Sequence, residues 1–107
     1  MITAKFLTSQ NFIKGFEVSG HAMFDEYGRD IVCAGVSSAV QMCANGLSEI
    51  AKLDPKIEVG ENVIAVTLKD NFKDTQAQLL FKTLQLHLEV LSQEYSDTIT
   101  LTNSEVQ

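Results

Sequence analysis

A chain of 107 residues with 45% hydrophobic and 21% charged positions has apolar material for one core and too little length for two ordinary domains, so residues 1–107 are expected to form one domain. Eight Lys and Arg against fourteen Asp and Glu give a formal net charge of -6 and an isoelectric point near 4.7. That balance speaks against nonspecific binding to nucleic acid or an anionic membrane and favours a neutral or basic partner. No run approaches the ~20 apolar residues of a membrane span. The opening Met1-Ile2-Thr3-Ala4-Lys5-Phe6 also lacks the basic stretch, apolar run and cleavage site of a secretory signal. The expectation is a cytoplasmic protein whose two cysteines are free thiols.

Residues 2–8 and 12–18 are rich in β-branched and aromatic side chains and flank Ser9-Gln10-Asn11, which predicts an antiparallel hairpin. Residues 19–30 have no regular period. Gly20, Gly28, Asp25 and Asp30 are mixed there with Met23, Phe24 and Tyr27, the pattern of an unusually apolar loop. From residue 31 to about 52, Val32, Val36, Ala39, Val40, Cys43, Leu47, Ile50 and Ala51 recur at the spacing of an amphipathic helix, with Asp30 as its natural N-cap. Asp54-Pro55 ends it, and residues 57–59 and 63–68 form a second strand pair around Gly60-Glu61-Asn62. Asp74 or Thr75 begins a second helix to about Tyr95, with Ala77, Leu80, Phe81, Leu84, Leu88, Leu91 and Tyr95 on one face. A strand over 98–102 closes the chain. The order ββαββαβ predicts an α+β fold, a mainly antiparallel sheet with both helices on one face.

The chemistry concentrates where the apolar loop meets the first helix. With Asp30 as cap, Cys33 is the third helical residue, where unpaired backbone N–H groups and the helix dipole favour an anion. A thiol there is biased toward the nucleophilic thiolate. His21, carried on the loop between Gly20 and Gly28, has the chemistry to pair with that sulfur and later protonate a leaving amine, while free N–H groups of the first turn hold a developing oxyanion. The bland alternative is that Cys33 is a small buried hydrophobe and His21 an ordinary loop histidine.

The wider pattern shifts the balance. Gly20-His21-Ala22, then Gly28, then Asp30-Ile31-Val32-Cys33-Ala34, then Val36-Ser37 resembles the signature of the ribosomal-processing cysteine protease (Prp) family, and the order of elements is similar along the whole chain. The order His then Cys, twelve residues apart, fits neither papain-like enzymes nor caspases. The resemblance implies that Cys33 is the nucleophile and His21 its general base and acid. It implies as substrate the N-terminal extension of large-subunit ribosomal protein number twenty-seven, removed in support of ribosome assembly, and a homodimeric enzyme. Gly35 departs from the family, which more often has Ala there.

Asp30 and Ser37 stand as supporting candidates with two readings each. Asp30 either caps the helix or orients His21. Ser37, one helical turn after Cys33, either lines the substrate groove beside the sulfur or bonds back to the Cys33 carbonyl. Met23, Phe24 and Tyr27 suit a pocket for large hydrophobic substrate side chains, with the glycine-flanked loop expected to bring His21 to Cys33 as substrate binds. Glu17, Asp25 and Glu26 read as solvated charge. Cys43 reads as core and His87 as a rim or satisfied core histidine. No metal site and no cofactor are expected, because His21, Cys33, Cys43 and His87 lack any local ligand-pair spacing. Leu79, Leu86 and Val90 lie off the buried stripe of the second helix and suggest a self-association surface. The competing function is a non-catalytic, ribosome-associated binding module.

Overall fold

The computed structural model describes residues 1–20 and 29–106, with the backbone alone for Arg29 and Asp30. Strand β1 (Ile2–Ser9) turns back into β2 (Phe12–Ser19) through Gln10 and Asn11. Both turn residues have positive φ, 54° and 67°, the backbone of a tight hairpin turn whose twist matches that of its strands. After the loop come helix α1 (Arg29–Asn45), a π-helical turn (Gly46–Ile50), the hairpin of β3 (Lys56–Gly60) and β4 (Val63–Thr67), helix α2 (Thr75–Glu94) and strand β5 (Ile99–Glu105). The sheet order is β3-β4-β2-β1-β5. Every pairing is antiparallel except that of β1 with β5, which runs parallel from Ile2 beside Ile99 to Thr8 beside Glu105. The predicted ββαββαβ order and mainly antiparallel sheet are therefore present.

Alternation along the strands decides which face the helices cover. Ile2, Ala4 and Phe6 of β1, Phe16 and Val18 of β2 and Val66 of β4 are buried, and register places Phe6 beside Phe16 and Phe16 beside Val66. One residue along, the row Thr102, Lys5, Glu17, Ala65, Glu58 lies on the opposite face, with Lys5 and Glu17 paired at 3.8 Å. Val32, Val36, Val40, Cys43 and Leu47 from the first helical segment and Ala77, Phe81, Leu84 and Leu88 from α2 fill the buried side. The Phe16 ring lies between Phe6 and Phe81, with both centroid separations 6.2 Å.

Asp74 caps α2, its carboxylate accepting from the Gln76 and Ala77 amides at 2.8 and 3.1 Å. The buried Gln78 is a feature the apolar pattern did not reveal. Its side chain accepts from the Ile13 amide at 3.1 Å and donates to the Ile13 and Phe72 carbonyls at 2.7 and 2.6 Å, so a polar clamp joins α2 to β2.

Two boundary expectations need correction. The first helix begins at Arg29, which places Asp30 inside the first turn instead of at the cap. The same helix gives way at Gly46 to the π-helical turn. A Cβ at Gly46 would lie 3.1 Å from both methyl carbons of Leu80, so the absent side chain lets α2 come close. The wider turn keeps Leu47 fully buried but leaves Ile50 83% exposed, and Ile50 is not part of the core stripe. The stretch Ile31–Ile50, with mean hydropathy 1.3, is also long and apolar enough to compare with a membrane span, contrary to the expectation that no run approaches one. Here its apolar face packs on the sheet and α2.

Candidate active site

Cys33 is half-buried on α1 and opens onto a cleft of about 300 Å³ between that helix and the neighbouring end of the sheet. Val36, Ser37, Val40 and Gln41 continue the helical wall at three- and four-residue spacing, and Ile2, Val18 and Gly20 contribute from the ends of β1 and β2. The opposite wall is the β3–β4 hairpin, through Gly60, Asn62, Val63 and Ile64. Ser37 and Gln41 are exposed at this cleft.

Gly20 is held by two constraints. Its φ is +74°, and a Cβ would meet the Met1 carbonyl oxygen at 2.5 Å, so only glycine fits without distortion. Its amide donates to the Asn62 carbonyl at 2.9 Å. The backbone that leads into His21 is thereby fastened to the hairpin wall of the cleft. His21 itself, with Met23, Phe24, Tyr27 and Gly28, lies outside the described residues, as does the expected closure of that loop. The Asp30 side chain does too.

Because α1 starts at Arg29, Cys33 is its fifth residue, not its third. The amides without an intrahelical partner at this end all lie N-terminal to Val32. The sulfur therefore sits one turn inside the helix, and any oxyanion held by first-turn N–H groups forms N-terminal to it.

Cys43 occupies a different environment. It is buried, its thiol is directed at the Leu80 carbonyl oxygen at 3.7 Å, and burial pushes its pKa up to about 12. At neutral pH it is a protonated core thiol. Both cysteines are free. Exposed His87 lines a second groove of about 330 Å³ between α1 and α2, with Met42, Cys43, Leu80 and Leu84, which agrees with the rim position. Leu79, Leu86 and Val90 are exposed, as is Met42.

Sequence reasoning missed Gln41 and the hairpin wall. Gln41 was legible as two turns beyond Cys33 on the same helix face, whereas Gly60, Asn62 and Ile64 reach the cleft only through the pairing of β2 with β4.

The family model for cysteine protease Prp matches residues 1–100. The ribosomal processing cysteine protease Prp of Bacillus subtilis is 32% identical over 97 residues, covering 86% of this chain and 87% of the relative. The protein of that name from Staphylococcus aureus is 31% identical over 85 residues, covering 78% and 80%. The crystal structure of the S. aureus protease with a substrate peptide superposes with a TM-score of 0.87 at 26% identity, covering 97% of this chain and all of that one. The structure with a covalently linked product peptide gives 0.86 at 27%. Fold and relatives define a cysteine protease. The chain belongs to the Prp family, the ribosomal processing cysteine proteases.

Proposed function

We propose that the protein removes the N-terminal extension of large-subunit ribosomal protein number twenty-seven by acyl transfer, with Cys33 as nucleophile and His21 as general base and acid. The observation that carries the assignment is the contrast between the cysteines: Cys33 opens onto the cleft, while Cys43 is buried with its pKa pushed up to about 12. His21 takes the Cys33 proton as Sγ attacks the scissile carbonyl carbon. The tetrahedral oxyanion collapses to a thioester, and the amine leaves with the proton returned by His21. Water, deprotonated by His21, then attacks the thioester, and the acid product departs as Cys33 regains its proton. A net charge of -6 suits a basic ribosomal precursor.

The enzyme acts in the cytosol as a homodimer. Leu79, Leu86 and Val90 form an exposed apolar line on α2, a surface that a second copy would cover. Sedimentation should give about twice the 11.8 kDa chain mass, and Leu86→Glu should move the protein toward monomer. A wild type that sediments as a monomer at high concentration contradicts the dimer.

Incubation with the ribosomal precursor, followed by intact-mass spectrometry, tests the activity. The expected result is a precursor shortened at one bond by wild type. Tight binding without any mass change would instead favour a ribosome-associated binding module.

A further inference from the structure

The floor of the cleft does not end under α1. Register aligns Val18 with Ile64 and Ile64 with Val59, and in the next row on the same face aligns Phe16 with Val66 and Val66 with Ile57. Residues directly opposite on adjacent strands share a face of the sheet. Val59 and Ile57 therefore lie on the face that carries the helices. Yet Val66 and Phe16 are fully buried, whereas Ile57 is 43% and Val59 75% exposed. Among the described residues the helix layer stops short of β3 and leaves an uncovered apolar shelf.

That shelf is continuous with the cleft. Gly60, which follows Val59, and Ile64, which pairs with it, both line the cavity that Cys33 opens onto. On the helical side Ser37 and Gln41 add polar groups beside Val36 and Val40. An extended peptide laid in the cleft has the hydrogen-bonding groups of Ser37 and Gln41 within the helical wall and the apolar shelf beyond Ile64 at the hairpin. We propose that Val59, supported by Ile57 and Ile64, is a specificity-determining surface of this protease that receives an apolar side chain of the peptide whose scissile bond lies at Cys33. The inference rests on Cys33 being the nucleophile. The occupant is substrate because the shelf runs without a break into the nucleophile's cleft, and an apolar contact of this size discriminates by about tenfold or more.

The test uses the full chain and two peptidyl chloromethyl ketones of equal length, one carrying Leu and the other Lys at the positions before the reactive group. Adduct formation at Cys33 is followed by mass spectrometry, and each rate is divided by the rate with iodoacetamide, which carries no peptide. Wild type should prefer the Leu reagent by about tenfold. Val59→Asp should invert the order, and the isosteric Val59→Thr, which preserves strand shape, should reduce the preference without inverting it. An unchanged preference in both variants, or no Leu preference in a wild type whose Cys33 is readily alkylated by iodoacetamide, overturns the shelf and leaves the nucleophile standing. Failure of every reagent to modify Cys33 overturns the nucleophile and the shelf with it.

Discussion

The Gly20 amide donates to the Asn62 carbonyl at 2.9 Å, so the last described residue before His21 is bonded to the turn that forms the far wall of the Cys33 cleft. The end of β2 and the hairpin wall are thus held together by a backbone contact made where Gly20 has a positive φ. Gly20→Ala should strain the left-handed backbone by about 1–2 kcal/mol and push it away from Met1. Thermal unfolding should show a lower midpoint, and kcat/KM should fall. A variant with wild-type stability and activity would show that this junction does not position the site.

Gly35 lies inside α1, and a Cβ there would make ordinary contact with Leu91 Cδ1 at 3.7 Å. Gly35→Ala should therefore stabilise the fold by up to about 1 kcal/mol through helix propensity. The urea midpoint should rise while cleavage stays unchanged.

Gln78→Leu removes the clamp on Ile13 and Phe72. It leaves a buried amide and two carbonyls without these partners, at a cost of about 1–3 kcal/mol for each group that finds no other. Urea unfolding should show the loss. The variant should still cleave at temperatures where it remains folded, since the clamp is remote from the Cys33 cleft.

The Cys43 thiol has its pKa raised from 9.0 to about 12 by burial. The native state then retains a proton that the unfolded chain releases above pH 9. This contribution is fully present below pH 9 and is lost as pH rises toward 12, by at most about 1.4 kcal/mol per pH unit. The stability difference between wild type and Cys43→Ala should accordingly shift against wild type between pH 8 and pH 10 in paired urea titrations. A constant difference would show that the thiol ionises where it stands.

Much of the fold could be read because local chemistry and packing agree. Ile2, Ala4 and Phe6 alternate in the sequence and are the residues buried in β1, and Asp74 precedes a helical stripe and caps it. The π-helical turn was hidden because Leu47 keeps the helical spacing through it, while the departure at Gly46 serves the approach of Leu80 on another helix. Asp30 suits either a cap or a first turn, and its residue type alone does not separate the two. Ile57 and Val59 were legible as strand residues. Their exposure follows from how far the helix layer reaches across the sheet, which is a tertiary property. The Cys33 side of the cleft was readable for the same reason as the helix, by periodicity, and the hairpin side was not.

The assignment of the nucleophile is tested most directly by cleavage of the ribosomal precursor with Cys33→Ala and Cys43→Ala measured side by side, each checked for native circular dichroism. Cys33→Ala should leave the precursor at full mass, and Cys43→Ala should shorten it at the same bond as wild type. Cleavage by Cys33→Ala, or its loss in a folded Cys43→Ala alone, would contradict the account.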